Sequence, residues 1–302
     1  MDSIIIIEQV TVLAILMAVG FFGGRSGVLG DKENESMTTL LTKIAMPALT
    51  ITAFMAGSFK DSFNDIVIVL LFSFIAHFMA AVLAKIVFMK YPSSQNKVLR
   101  FGTTFSNSGF MGLPFIHALF GDKALLLGSI YMIPMHTLLW TYGEGIMRNK
   151  ENKPNIKAFL MNPAIIAILI GAVIFVLGIS APRVITQPIS MISALTSPLA
   201  MLILGERMSK LKLSEIISDY TIYYASFIKL IVAPIIMVII FKFVEIDPLI
   251  KNIIIIMQAL PWAVMAVVLS QKHKLDSDLA SKITAVSHAL SIITIPIISL
   301  LL

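Results

Sequence analysis

Polar and helix-breaking residues interrupt an otherwise apolar stretch, TFSNSGFMGLPFIHALFGD, between Thr104 and Asp122. An interrupted helix leaves backbone N–H and carbonyl groups without an intrahelical partner, and an asparagine amide adds two donors and an acceptor. In lipid, such groups are tolerated only where protein or a water-filled cavity covers them. The stretch therefore predicts either a binding site for a polar solute or a proline kink satisfied by neighbouring helices. The residues that carry this interpretation are Asn107, Ser108, Gly109, Gly112 and Pro114.

A second interrupted stretch, QALPWAVM, places Gln258 three residues before Pro261. Its amide matches that of Asn107, which directly precedes the break expected at Gly109–Gly112. Interrupted helices that come in pairs commonly line one binding site in membrane proteins. We expect both amides to line a site of this kind, or else each amide to cap its own broken helix.

Lys229 lies near the middle of another apolar stretch. A charge at the membrane centre costs at least about 2.5–3.5 kcal/mol, so it is by default a functional hypothesis. The lysine would be a counter-ion for an anionic substrate or a fixed cation in place of a coupling ion. The alternatives are a structural pair with a polar neighbour and a side chain that reaches the membrane surface.

The remaining reactive residue types do not form a catalytic or metal-binding pattern. Cysteine is absent, which excludes disulfides and thiolate chemistry. The histidines His77, His117, His136 and His288 are scattered one per apolar stretch, without the spacing of a metal site, so interhelical hydrogen bonds are expected of them. No H-E-x-x-H or nucleotide-binding G-x-x-x-x-G-K-[ST] motif occurs. The sequence thus predicts neither an enzyme nor a cofactor nor a metal.

Membrane-spanning helices must position the candidate residues. Of the 302 residues, 58% are hydrophobic and 13% are charged, whereas about 25% are charged in a soluble domain. The net charge of +6 does not indicate nucleic-acid binding, because most Lys and Arg residues lie between apolar runs. Runs of about 20 apolar residues predict an all-α polytopic membrane protein. We place ten spans at about 4–23, 37–57, 65–89, 98–119, 123–147, 158–179, 184–205, 219–243, 249–271 and 278–301.

The basic residues between the spans predict the orientation of the chain. Fourteen Lys and Arg residues follow odd-numbered spans, and five follow even-numbered spans. Basic loops stay in the cytoplasm, so the connections after odd-numbered spans are expected there. Both termini would then lie outside the cytoplasm, in a multi-pass protein of the cell membrane.

The spans divide into two halves that carry helix-breaking residues at matching positions. Five precede and five follow the polar linker RNKENKPNIK at residues 148–157, and the halves have opposite orientations. Mid-span prolines recur at corresponding places, Pro47 with Pro198 and Pro114 with Pro261. Such a pattern is typical of secondary transporters built from inverted repeats. The predicted repeats are residues 1–150 and 151–302.

The chain resembles the auxin efflux carrier family, the bacterial relatives of plant PIN-FORMED carriers. The resemblance rests on NSGFMGLP at Asn107–Pro114 and GDKAL at 121–125. The setting of Pro47, the P-W-A-V segment at Pro261 and the S-x-x-x-x-P segment at Ser291 also fit, so essentially the whole chain is covered. The long cytosolic loop of the plant proteins is missing, so regulation by loop phosphorylation is not carried over.

The resemblance implies a fold like that of bile-acid/sodium symporters, with two inverted five-helix repeats and crossed broken helices. Spans one, two, six and seven would form a scaffold that dimerises, and spans three to five and eight to ten a mobile transport domain. The broken helices would cross at Pro114 and Pro261, beside the substrate. Transport would be elevator-like, and the resemblance to the bacterial members implies export or exchange of small carboxylates such as malate or malonate.

The leading functional hypothesis is therefore a secondary or facilitative carrier that exports a small organic anion, a carboxylate or an auxin-like acid. Helix ends with free N–H groups attract an anion without requiring an arginine. The candidate binding residues are those of the two interrupted stretches together with Lys229. The alternative is a sodium- or proton-coupled symporter of the bile-acid type. Acidic residues are scarce near the expected crossing, which favours a carrier driven by the membrane potential or by exchange.

Overall fold

The computed structural model describes residues 3–56, 59–148, 161, 163–179, 181–210 and 219–302. In these residues the regular secondary structure is helical, which confirms the all-α prediction. The boundary predicted between residues 150 and 151 and nearly all of the polar linker lie outside the described residues. Up to residue 148 the α-helices are α1 Ser3–Arg25, α2 Asp31–Leu40, α3 Met46–Ala56, α4 Phe59–Val87, α5 Ser93–Thr104, α6 Leu113–Leu138 and α7 Glu144–Met147. From residue 163 they are α8 Pro163–Leu177, α9 Arg183–Ser193, α10 Thr196–Ser209, α11 Tyr220–Phe227, α12 Ala233–Phe241, α13 Pro248–Ala259, α14 Met265–Lys272 and α15 Ser277–Ser299.

Length and composition establish a multi-pass membrane protein. Six stretches are long and apolar enough to cross a membrane, and α8, α13 and the part of α1 from Thr11 are shorter apolar helices. The count of ten spans and the inverted repeat stay predictions. The six stretches are Asp31–Met55, Phe63–Val87, Ser108–Met147, Arg183–Ser209, Tyr220–Phe241 and Ser277–Ser299.

Gly121 divides the longest of these stretches. Ser108–Met147 contains 40 residues, which as one straight helix would extend about 60 Å, twice the thickness of the hydrocarbon core. Gly121 has a φ of +75°, a conformation that favours glycine, and it interrupts the helical backbone of α6. The interruption falls at the polar GDK turn that the sequence places between the fourth and fifth spans.

Three π-helical turns each lie just before a proline in the chain. Leu41–Ala45, Ser108–Gly112 and Ile228–Val232 are each followed two residues later by Pro47, Pro114 or Pro234. Proline lacks an N–H and clashes with the carbonyl four residues back. In each turn the residue before the proline donates to the carbonyl five residues back, which widens the helix at that point. Two of these widened turns lie at the first interrupted stretch and around Lys229.

Polar contacts assign the helix connections to two opposite ends of the molecule. At one end, Gln95 Nε2 donates to Asp276 Oδ2 at 3.3 Å. At the other end, Lys123 Nζ lies 2.9 Å from Asp65 and 3.6 Å from Asp247. The first pair belongs to connections after predicted odd-numbered spans, and the second group to connections after even-numbered spans. We call the first end, with Gln95 and Asp276, the basic end.

Small residues allow α1 and α10 to pack closely. A Cβ atom at Gly205 would lie 1.9 Å from the carbonyl oxygen of Met17, and one at Gly20 would lie 2.3 Å from that of Leu202. Close backbone approach at small residues is a common basis of helix association in membranes. Helix α3 packs against α8 and α9, while α4 packs against α5 and α6. These contacts hold the frame in which the interrupted helices meet.

Candidate functional site

The two interrupted helices meet and pair through their backbones. The Asn107 N–H donates to the Pro261 carbonyl at 2.8 Å, and the Ala263 N–H donates to the Phe105 carbonyl at 3.1 Å. These bonds flank an antiparallel bridge between Ser106 and Trp262. Each break thus satisfies backbone groups of the other, which makes two interrupted helices tolerable inside a membrane.

The first break lies earlier in the chain than the sequence predicted. Helix α5 ends at Thr104, and Phe105 has extended backbone angles, φ −109° and ψ 120°. The expected break at Gly109–Gly112 is instead a π-helical turn, and Pro114 lies in the first turn of α6. A proline is tolerated there because the first-turn N–H groups have no helical acceptor. The crossing therefore involves Pro261 but not Pro114.

The two glycines of the first stretch serve close packing. A Cβ atom at Gly109 would lie 2.6 Å from Cε of Met46 in α3. A Cβ atom at Gly112 would lie 2.6 Å from Cδ1 of Leu260, just before the second break. Gly109 thus admits the neighbouring helix, and Gly112 admits the partner break. A Cβ atom at either position would meet the end of a flexible side chain, so a larger residue there would require Met46 or Leu260 to shift.

Asn107 lies at the centre of the crossing and is bonded to α15. Its amide Nδ2 is 2.9 Å from Nε2 of His288, and Nδ1 of His288 is 2.6 Å from the carbonyl oxygen of Thr284. Because Nδ1 must donate to a carbonyl, the arrangement requires the Nδ1–H tautomer, and Nε2 accepts from Asn107. The histidine therefore orients the amide and leaves its oxygen and second N–H for other partners.

Lys229 reaches the first break from the eighth predicted span. Its amine is fully buried and donates to Ser106 Oγ at 2.6 Å. Within the described part of the chain, no carboxylate pairs with this amine. When protonated, this amine would act on the crossing through a hydroxyl group, and no ion pair among the described residues would offset the cost of its charge.

A small cavity of about 80 Å³ opens beside the paired breaks. It is lined by residues that follow each break, Gly109 and Phe110 in the first half and Val264 and Met265 in the second. No Asp or Glu is found among its described lining residues. The other lining residues are Met46, Ser106, Asn107, Met132, Met135, His136, Leu139, Trp140 and Ala263.

Gln258 does not line this cavity. It lies in the last turn of α13 and donates through Nε2 to the Tyr131 hydroxyl at 3.0 Å. Its Oε1 and the Ser108 hydroxyl have no hydrogen-bond partner among the described residues. Both side chains are buried against the crossing rather than exposed to the cavity.

Trp262 fills the second break with a large apolar side chain. The residue is fully buried, and its backbone N–H lies 3.3 Å from Ser287 Oγ. A Cβ atom at Gly102 would lie 2.1 Å from the indole ring, so α5 accepts the ring only because it carries a glycine there. The tryptophan thus packs its ring against α5 and contributes no polar group to the cavity.

A second cavity, of about 310 Å³, extends from the basic end toward the crossing. Arg207 and Lys210 line its outer part, while Val264 and His288 line the part near the crossing. Partial burial lowers the pKa of the Lys210 amine, but its contacts with Asp31 and Glu206 raise that pKa overall. Lys210 is thus charged and already neutralised by two carboxylates. Arg207 makes no ion pair or hydrogen bond within the described residues.

Sequence reasoning gave little weight to several of these side chains. His288 was expected to form an interhelical hydrogen bond, and it does, but its partner is Asn107 itself. Met46 is apolar, so its residue type does not indicate a binding role. Only the proline that follows it indicates an irregularity in the helix. Arg207 is one of the fourteen basic residues that follow predicted odd-numbered spans, and only the cavity distinguishes it from the others.

Comparison with known proteins identifies related chains. The sequence profile of a family described as "Membrane transport protein" matches residues 5–160 and 152–299. An "uncharacterized transporter" of Methanocaldococcus jannaschii is 26% identical over 95% of this chain and 96% of its own length. An "uncharacterized transporter" of Methanothermobacter thermautotrophicus is 24% identical over 98% of both chains.

Proposed function

This chain belongs to the membrane transport protein family, as its resemblance to auxin efflux carriers predicted, and we propose that it carries a small organic anion across the cell membrane. Family membership makes it a transporter rather than an enzyme. The substrate class, the driving force and the mechanism are proposals argued from the crossing.

The observation that carries the proposal is which helix ends face the cavity. The cavity is lined by the starts of the two helical segments after the breaks, Gly109 with Phe110 and Val264 with Met265. It is not lined by Thr104 or Ala259, where the preceding helices end. Helix N-termini carry free N–H groups and partial positive charge, so they favour an anion. Two such ends beside one small cavity suit a carboxylate.

Lys229 and Asn107 add to the preference of the crossing cavity for an anion. Lys229 places a positive charge behind Ser106, whose hydroxyl lines the cavity. An ammonium group without a carboxylate partner is costly in the membrane interior, and an anion beside Ser106 would offset part of that cost. The Asn107 amide supplies directional hydrogen bonds to a carboxylate oxygen.

A fixed cation at the crossing also argues for a carrier driven by exchange or by the membrane potential. A coupled sodium ion would need oxygen ligands, and the carbonyl-rich ends of α5 and α13 do not line the cavity. Lys229 instead places an amine at the crossing, which when protonated would stand in for a coupling cation. These contacts favour the exchange or uniport form over the sodium- or proton-coupled alternative.

The cavity volume supports a small substrate. Typical pockets for drug-sized ligands enclose about 300–1,000 Å³, and the crossing cavity encloses about 80 Å³. Four methionines, Met46, Met132, Met135 and Met265, line it, and their flexible side chains adapt to ligands of different shape. A dicarboxylate of malonate or malate size fits a cavity of this volume better than a bulky aromatic acid does.

The second cavity provides a route from the basic end. Arg207 is unpaired in the described residues and lines this cavity, which ends at His288, the partner of Asn107. A cation in a cleft with low-dielectric walls concentrates anions locally. Under the proposed orientation the basic end faces the cytoplasm, the termini lie outside, and the route admits a cytoplasmic anion for export.

The proposed architecture has ten spans in two inverted five-helix halves. Spans one, two, six and seven, represented by α1, α2–α3, α8 and α9–α10, form a scaffold that dimerises. The other spans form the transport domain. Both cavities lie between these groups, since Met46 and Arg207 come from the scaffold and Val264 comes from the transport domain. Sliding of one group along the other would expose the crossing to each side in turn, as an elevator mechanism requires.

Thermal unfolding and flux measurements on purified protein test the substrate class. We expect small dicarboxylates to raise the unfolding temperature, with or without sodium, and to drive counterflow of labelled substrate in proteoliposomes. Matched neutral amides, such as malonamide for malonate, serve as controls because they keep the shape and lose the charge. Equal stabilisation by acid and amide would contradict an anion carrier, and stabilisation only in sodium would support the symporter alternative.

A further inference from the structure

A groove separate from the crossing cavity runs along the outer side of α4. It encloses about 610 Å³, and its deeper part is lined by Phe74, Phe78 and Val82. Phe78 is 66% exposed and Phe74 is 43% exposed, so these side chains face the surroundings of the protein rather than its core. In a membrane helix such a surface contacts acyl chains.

The part of the same groove that lies toward the basic end is cationic. Lys85 and Arg100 both line it, and no Asp or Glu is found among its described lining residues. Arg100 donates through Nη2 to the Tyr142 hydroxyl at 3.2 Å, while its Nε has no partner in the described part of the chain. Lys85 is exposed, and no ion pair or hydrogen bond of its amine occurs among the described residues. Two cations therefore lack an anion at one end of an apolar groove.

The spacing between the two parts matches one leaflet of a bilayer. Phe74 and Lys85 lie on the same helix, eleven residues apart, which corresponds to about 16 Å. Half of the hydrocarbon core is about 15 Å thick. Lys85 is close to the end of α4 at Val87, and Arg100 lies in α5, which begins at Ser93. The cations thus lie at headgroup depth on the basic end, and the phenylalanines lie at acyl-chain depth.

We infer that this groove is a binding site for an anionic phospholipid of the leaflet at the basic end. The phosphate lies between Lys85, Arg100 and the Tyr142 hydroxyl, and one acyl chain lies along Phe78 and Phe74. Charge complementarity selects the headgroup, because basic pockets between membrane helices bind anionic lipid headgroups. The assignment does not depend on which solute the protein carries.

The site adjoins the crossing through α5. His77 and Thr104 line the inner wall of the groove, and Thr104 is the last residue of α5 before the first break. His77 Nε2 is buried and has no partner among the described residues. A lipid bound along this wall would press on the helix that presents Ser106 and Asn107. Lipid composition would then affect transport through the position of α5.

Native mass spectrometry of purified protein tests the site, with phosphatidylglycerol and phosphatidylcholine of identical acyl chains. We expect selective retention of phosphatidylglycerol. Lys85→Gln and Arg100→Gln should each reduce it by about fivefold, the effect of one basic residue near an anionic lipid. Lys32→Gln is the matched control, since Lys32 is an exposed lysine at the same end that does not line the groove. Retention in this control should stay unchanged.

A second variant separates a lipid site from a phosphate site. Ala81→Trp fills the apolar part of the groove without removing a charge, and it should lower phosphatidylglycerol retention as well. Equal loss of retention in Lys32→Gln, or no loss in either groove variant, would overturn the site. Inorganic phosphate that competed with phosphatidylglycerol at equal concentration would overturn the lipid assignment. If carboxylate flux fails but selective retention persists, only the proposed function is refuted.

Discussion

The two breaks share a backbone arrangement and differ in their side chains. Each gives one N–H and one carbonyl to the other at the Ser106–Trp262 bridge. The first break then continues with Asn107 and Ser108, whereas the second, between α13 and α14, contains only apolar side chains, Leu260–Val264. The backbone pairing is thus nearly symmetric, whereas the polar side chains come from the first break.

The helices that pack on the breaks differ in the same way. Lys229 of the eighth predicted span donates to Ser106, while the His77 ring of the third predicted span lies tilted beside Phe105, with the ring centres 6.0 Å apart. His288 in the last span bonds Asn107. The second half therefore supplies polar partners to the first break, whereas the first half packs on the second break through Gly102 of α5 against the Trp262 ring. We infer that the first break selects the substrate and that the second shapes the space.

Asn107→Ala tests this division most directly. Loss of the amide should lower carboxylate flux in proteoliposomes by at least about tenfold, because a hydrogen bond to a charged group contributes about 1.5–3 kcal/mol. The backbone bond to Pro261 remains and should preserve the fold, but the buried Nε2 of His288 loses its partner, so the free energy of unfolding should fall by about 1–3 kcal/mol. Asn252→Ala is the matched control, an amide in α13 that does not line the cavity. Normal flux through Asn107→Ala would exclude Asn107 from the site.

Lys229→Met separates the charge of the lysine from its bulk. We expect carboxylate affinity to fall by about tenfold, since the field behind Ser106 is lost. Stability should be unchanged or higher, because replacing an unpaired buried charge by an apolar side chain of similar volume is often neutral or stabilising. Both quantities follow from one titration of the unfolding temperature with malonate. Unchanged affinity with a lower unfolding temperature would mean that Lys229 only supports the structure.

Arg207→Gln extends the comparison to the route that leads to the first break. Arg207 steers anions without touching the crossing, so uptake from the basic end should slow by about threefold at low ionic strength. The difference should vanish at high salt, where the field is screened. Arg25→Gln is the control, because Arg25 also lies near the basic end but does not line the cavity. A salt-independent defect would point to a structural role for Arg207.

The sequence predicted the all-helical membrane class and directed attention to Asn107, because hydropathy and helix-breaking residues act locally. It misplaced the first break, since Gly and Pro near Pro114 proved compatible with a π-helical turn followed by a helix start. The break at Phe105–Asn107 depends instead on hydrogen bonds to Pro261 and Ala263, far away in the chain. His288 and Arg207 were equally out of reach, because their importance arises from packing between distant helices.

Gln258→Leu should have the smallest effect and gives the sharpest test of the asymmetry. Gln258 corresponds to Asn107 in the pattern of the two halves, yet its amide is bonded to Tyr131 and does not face the cavity. We expect carboxylate affinity within about twofold of the parent protein. Loss of the bond to the Tyr131 hydroxyl should cost about 1–3 kcal/mol of stability, the penalty for an unsatisfied buried group. Paired flux and unfolding measurements on Gln258→Leu and Asn107→Ala decide whether the two amides have different roles. If both variants lose transport equally, the amides act as a symmetric pair, and substrate selection belongs to both breaks.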